Sequence, residues 1–291
     1  MKLTKPNADS YVPDGRPLDE ALARTTHLAV GAHQDDIEFM ALHGILECFG
    51  RSDRSFVGVT LTNGAGSART GPYAACSNDE MVAIRVREQR HAALIGGYGC
   101  QLQLMYSSAE LKDAANPDPV SDLLQILDAA KPQVVYLHNP ADKHDTHVAS
   151  CLRALAALRR LPPAVRPLRV LGCEVWRNLD WLPDSDKQVL PVDDRPNLAA
   201  ALSGVFDSQI SGGKRYDLAV QGRRLANATF FESHEVDRHT MLAFAVDLTP
   251  LVVDPSLSVA EYTVRLIERF KEDVVQRVSK FATQGPKESP R

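Results

Sequence analysis

Five short apolar, β-rich runs recur in the first 176 residues, and helix-length segments separate them. This alternation restricts the fold more than any other feature of the chain. The runs are THLAVGAH (26–33), SFVGVTLT (55–62), QLQLMY (101–106), QVVYLHN (133–139) and LRVLGCEVW (168–176). Between them lie DDIEFMALHGILECFG (35–50), DEMVAIRVREQRHAALIGG (79–97), PVSDLLQILDAAK (119–131) and a segment at about 145–160. Asn78 or Asp79 is the expected N-cap of the second helix, and Gly50 the expected end of the first. Strands alternating with helices of this length predict an α/β fold with a parallel, doubly wound sheet and helices on both faces.

The rest of the chain is less regular. Residues 1–24 are polar and contain proline, and are expected to form an irregular arm. RNLDWLPDSDKQVLPVDDRP (177–196) reads as a long polar insertion. Residues 197–209 and 258–282 carry helical patterns, HTMLAFAVDL (239–248) reads as a late strand, and TQGPKESPR (283–291) is expected to be disordered. No linker interrupts the pattern. The expectation is therefore one domain over 1–291, with a core at about 25–176 and a C-terminal elaboration over 177–282.

Composition excludes several classes of partner. With 291 residues and a net charge of −4, the chain can build a sizeable core but offers no broad basic field for nucleic acid or an anionic membrane. No apolar run is long enough to span a bilayer, and the first twenty residues lack a signal-peptide core. The five cysteines are odd in number and widely spaced, with no CxxC pair, which reads as reduced thiols in a cytoplasmic protein.

Ligands of open α/β sheets bind beyond the carboxyl ends of the strands. Two of those ends are loaded here. AHQDD supplies His33, Asp35 and Asp36, and PADKHDTHVAS supplies Asp142, His144, Asp145 and His147. Either cluster alone also reads as an ordinary helix N-cap or a solvated loop. Together they offer two imidazoles and a carboxylate, His33, Asp36 and His147, which is a hydrolytic Zn2+ ligand set with one position left for water. Asp35 would then face that water as a general base. His144 would stabilise an oxyanion or protonate a leaving amine.

These motifs resemble those of the LmbE-like, or PIG-L, family of zinc-dependent de-N-acetylases, which carry AHPDD after the first strand and HPDH after a later one. IRVREQRHAALIGG (84–97) is similar to the family's R-x-x-E-x-x-x-A helix, with Arg85 and Glu88 at the matching positions. The likeness covers about residues 26–175. It implies a Rossmann-like sheet, zinc on His33, Asp36 and His147, Asp35 as base, His144 as electrophilic or acid partner, and Arg85 as a substrate contact. It implies an N-acetylated amino sugar as substrate and is compatible with a homo-oligomer. Three departures stand out. Gln34 replaces proline, which is expected to change only turn stiffness. Thr146 replaces aspartate, for which Asp142 or Asp145 would have to compensate beside a ligand histidine. SSAEL (107–111) stands where the family often has Asp-Gly.

Other features carry less. NGAGSARTG (63–71) matches neither phosphate-binding glycine pattern and reads as a loop bordering the site. Trp176 and Trp181 flank RNLD, and either ring would stack on a sugar or pack in the core. His234 is the candidate from the C-terminal region for the substrate site. The function expected is zinc-dependent removal of an acetyl group from an N-acetylglucosamine-type small molecule. A metal-dependent phosphoesterase and a catalytically silent sugar-binding protein are the alternatives.

Overall fold

A computed structural model describes residues 1–282. The tail at 283–291, read above as disordered, lies outside the described residues. Eight strands form a single sheet: β1 (Asp9–Tyr11), β2 (His27–Gly31), β3 (Phe56–Thr62), β4 (Cys100–Tyr106), β5 (Val134–His138), β6 (Arg169–Cys173), β7 (Lys187–Pro191) and β8 (Leu242–Asp247). Their spatial order is β1-β4-β3-β2-β5-β6-β8-β7. The five strands from β2 to β6 run parallel, and β1, β8 and β7 are joined antiparallel at the two edges. The expected mostly parallel α/β sheet is borne out.

Alternation along the central strands builds a core on each face. Leu28 and Val30 of β2 join Val135 and Leu137 of β5 on one face, covered by helices Asp118–Ala130 and Asp145–Arg160. Ala29 and Tyr136 point to the other face, covered by helices Asp36–Met40, Leu42–Cys48 and Pro196–Gly204. Covered on both faces, β2 and β3 have no exposed residue and are mostly apolar.

Several boundaries differ from the sequence expectation. The 35–50 segment breaks at Ala41 (φ −111°, ψ 19°) into two short helices, and Gly50 (φ 71°) closes the second just past its C-cap, Phe49, as expected. Ser77, not Asn78 or Asp79, caps helix Asn78–Ile95 through a reciprocal capping box with Glu80. The arm contains β1 and helix Leu18–Ala23. The polar insertion contains β7, whose residues are half-buried at an edge and so lack the apolar run of a central strand. Helix Tyr216–Phe231 was not expected at all.

The strand order fixes where a ligand can bind. The chain moves outward from β2 through β3 to β4, then returns to lay β5 on the opposite side of β2. Connections leaving β2 and β5 therefore diverge, and a crevice opens between their carboxyl ends. Helix Leu42–Cys48 can approach the sheet beneath this crevice because residue 44 is glycine. A Cβ there would lie 2.5 Å from a Tyr136 ring carbon. We expect Gly44→Ala to lower stability by about 1–3 kcal/mol in urea unfolding through overpacking. An unchanged midpoint would show that the helix and the ring have room to separate.

Candidate metal centre and cavity

The connection from β2 into helix Asp36–Met40 takes only four residues, Ala32 to Asp35. It turns sharply enough that Asp35 adopts φ 91°, outside the usual range for a residue with a side chain. Strain of this kind costs on the order of 1–3 kcal/mol and persists where the surroundings enforce it. Here the Asp35 N–H donates to Gln89 Oε1 at 3.2 Å, and Arg85 Nη2 holds Asp35 Oδ2 at 3.1 Å. Gln34 does more than alter stiffness. Its buried side chain donates to the Thr62 carbonyl and to Gln103 Oε1, both at 3.1 Å, and so pins the turn to β3 and β4.

The turn points Asp36 into the crevice, where it meets the residues that follow β5. His33 Nδ1 is 3.2 Å from Asp36 Oδ2, His147 Nε2 is 3.4 Å from Asp36 Oδ1, and the two imidazole nitrogens are 3.3 Å apart. Tetrahedral ligands about 2.0–2.1 Å from an ion stand about 3.3–3.4 Å from one another. The three side chains thus have the spacing and the chemistry to hold a metal ion. Burial alone would raise the Asp36 pKa, but His147 and His138 hold it well below the ordinary carboxylate value. His147 is also supported from behind. Its Nδ1 is 3.3 Å from Asp142 Oδ2, which leaves Nε2 free to face an ion. Asp142 therefore occupies the supporting place that Thr146 cannot fill, whereas Asp145 is exposed at the helix start.

His138, at the end of β5, was not singled out from sequence. It is fully buried, accepts the Ala32 N–H at Nε2 (3.0 Å) and stacks on the His147 ring at a centroid distance of 4.0 Å. Burial pushes its pKa down to about 4, with His147 adding to the fall and Asp36 opposing it. Its apolar strand context hid it; its position at the carboxyl end of a central strand was the only available signal. His138, Asp142 and His147 also cluster closely enough for an ion, but His33 and Asp36 line the cavity and His138 and Asp142 do not.

The cavity has a volume of about 460 Å³, in the range of small-molecule sites. Asp35, Arg85, His144 and Trp176 line it together with His33 and Asp36. Burial pushes the Asp35 carboxyl up to about 6 against the pull of Arg85, with neighbouring Asp36 adding to the rise. The Thr146 N–H donates to His144 Nδ1, which leaves the proton of the neutral ring on Nε2. Burial and the neighbouring His147 hold the His144 pKa below its usual value. Arg85 is 1% exposed, and among the described residues its Nε and Nη1 have no hydrogen-bond partner. The loop from Asn63 to Ala68 forms another wall, and Gly64 (φ 72°) lets it pass against Gln34 and Arg85.

The remaining candidates separate. Trp181 packs against the sheet core rather than the cavity. His234 lies exposed in the loop after helix Tyr216–Phe231 and does not reach the cavity, because the apolar run before it ends that helix instead of leading into the site. Glu88 serves the site indirectly: its carboxylate accepts the Ser208 N–H and hydroxyl, both at 2.6 Å, and fastens the C-terminal elaboration over the cavity.

A family model described as GlcNAc-PI de-N-acetylase (PIG-L) matches residues 28–158, the stretch holding both motifs. No curated protein matches the chain at a significant level. Among solved structures, a conserved protein from Thermus thermophilus is 20% identical, with 80% of this chain and 99% of that one covered at a TM-score of 0.60. N,N'-diacetylchitobiose deacetylase from Pyrococcus horikoshii is 17% identical over 76% and 83%, at 0.56. GalB, the 4-carboxy-2-hydroxymuconate hydratase from Pseudomonas putida, is 18% identical over 80% and 100%, at 0.59. These likenesses establish the fold.

Replacing Asp142 with Asn removes the charge behind His147. We expect apparent metal affinity to fall by about 10- to 100-fold in competition with a chelator. Unchanged affinity would show that His147 needs no support from that side.

Proposed function

Given that residues 28–158 belong to the PIG-L, or LmbE-like, family, we propose that the protein is a zinc-dependent N-deacetylase. Its substrate would be an N-acetylglucosamine-type amino sugar or conjugate, and acetate one product. The observation that carries this reading is the meeting of His33, Asp36 and His147 at the edge of a cavity that also presents Asp35 and His144. Two imidazoles with one carboxylate suit Zn2+ better than the oxygen-rich sets that suit Mg2+.

A metal ion held there would acidify water and polarise the acetyl carbonyl. The protein's own groups supply the proton traffic. Asp35, ionised and held by Arg85, takes a proton from the attacking water. The His144 Nε2–H faces the cavity and donates to the carbonyl oxygen as negative charge develops there. Asp35, now protonated, gives its proton to the departing amine. Breaking the C–N bond then releases acetate and the free amino sugar. Trp176 and the glycine loop offer surfaces for the sugar ring.

Fold alone does not choose this reaction, because a hydratase shares it. The two motifs within the family match favour amide hydrolysis. A two-metal phosphoesterase has less support: the two metal-capable groups among the described residues share His147.

The test is acetate release from a panel of N-acetylglucosamine conjugates by metal-loaded protein. We expect Asp35→Asn to lower the rate by about 10²–10⁴-fold with metal content unchanged. His144→Ala should cost about 10²–10³-fold. Metal-loaded protein that releases no acetate from any member would overturn the deacetylase reading.

A further inference from the structure

Glu38 lies two residues past Asp36 and is fully buried, yet it neither lines the cavity nor pairs with a cation among the described residues. A carboxyl in such a place is costly unless its hydrogen bonds are made. Glu38 Oε1 accepts two, from the Tyr98 hydroxyl at 2.7 Å and from Gln89 Nε2 at 2.8 Å. The other end of the Gln89 amide, Oε1, accepts the Asp35 N–H at 3.2 Å. A continuous chain of hydrogen bonds therefore links Tyr98, Glu38, Gln89 and the backbone of Asp35, the residue with φ 91°.

The far end of this chain decides its direction. A glutamine amide has one donor end and one acceptor end. The Asp35 N–H needs the acceptor, and a flipped amide would set donor against donor. Glu38 takes the donor end and leaves the oxygen for Asp35. Glu38 is itself held in place. Arg224 Nη2 donates to its carbonyl at 2.9 Å, and Tyr98 is packed edge-on against Phe56 with ring centroids 4.7 Å apart. Gly96 makes room for the Tyr98 ring, since a Cβ there would lie 2.5 Å from one of its carbons.

The peptide between Gln34 and Asp35 is thus fixed at both ends. Arg85 Nη2 takes its carbonyl and Gln89 takes its N–H. Released at one end, the plane can pivot, and φ at Asp35 can relax toward the ordinary range. The Asp35 carboxylate would turn with it. Asp36 depends on other groups, the His33 N–H, His138 and His147, so cutting this chain leaves the metal ligands in place.

We propose that Glu38 is a positioning residue, which acts through Gln89 to hold the Asp35 backbone in the conformation that aims its carboxylate at the reacting water. This deepens the deacetylase reading, on which only the activity half of the test rests.

Acetate release by metal-loaded protein gives kcat and KM, and amide hydrogen exchange in 15N-labelled protein reports the Asp35 N–H directly. We expect Gln89→Met and Glu38→Met each to lower kcat by about 10- to 100-fold, with KM and metal content within about twofold. Exchange at Asp35 should quicken by about tenfold or more while that of β5 holds. Combining the two substitutions should cost little beyond either alone, because both cut one chain. Glu38→Gln keeps an oxygen for Tyr98 and Gln89 and should recover most of the lost rate. A side chain that only fills space would shift thermal stability and leave kcat untouched. Should Glu38→Met fail to fold, Gln89→Met and Glu38→Gln still carry the test. Unchanged kcat and unchanged Asp35 exchange in Gln89→Met, additive losses in the double variant, or a Glu38→Gln protein as slow as Gln89→Met would each overturn the proposal. If the unsubstituted protein releases no acetate, the deacetylase reading falls and exchange alone decides: quickening at Asp35 in Gln89→Met but not in Glu38→Gln upholds the positioning role, and its absence overturns it.

Discussion

One buried carboxylate, Asp36, organises this molecule. It sits within 3.4 Å of nitrogens from His33, His138 and His147, and it also accepts the His33 backbone N–H at 2.7 Å. A carboxylate in so dry a place is tolerable only if positive or donor groups surround it. Its partners come from two segments about a hundred residues apart, one after β2 and one spanning the end of β5 and the helix that follows it, so the arrangement exists only because β5 lies beside β2. The parallel pairing, the reversal of strand order and the placement of helix Asp36–Met40 all meet at this residue.

Much of this was legible in the chain, and what was legible shares a cause. Strands β2 to β6 are largely buried on both faces, so most of them are short apolar runs that announce themselves. Ionisable groups at the ends of such runs are conspicuous, and AHQDD and HDTH were found for that reason. His138 escaped because it is part of its strand rather than beyond it. Edge strands β1 and β7 escaped because half-buried strands carry mixed sequences. The side chain of Gln34 could not be placed because its value lies in partners on β3 and β4 that local sequence does not reveal. His234 drew attention through an apolar run that belongs to helix Tyr216–Phe231, whose inward faces serve packing.

That helix shows how adjacent, chemically identical residues are given different work. Arg223 and Arg224 are one step apart, about a quarter-turn of the helix. Arg224 is fully inside and donates at 2.9 and 3.0 Å to the carbonyls of Glu38 and Phe39, which satisfies backbone groups of helix Asp36–Met40. Arg223 turns to the cavity wall. One arginine braces the cavity floor from outside and the other lines the cavity, so the C-terminal elaboration is structurally continuous with the site it covers.

The link between Glu88 and Ser208 has a consequence for how such molecules diversify. The groups that would carry out bond cleavage lie within residues 33–147, on the sheet and its loops. Much of the wall facing them comes from residues 175–223, fastened down in part by that carboxylate. Drift in the wall can change which molecules are admitted without disturbing the groups that react. The two halves of the chain thus face one another across the cavity, with the ionisable cluster seated in the first and much of its enclosure in the second.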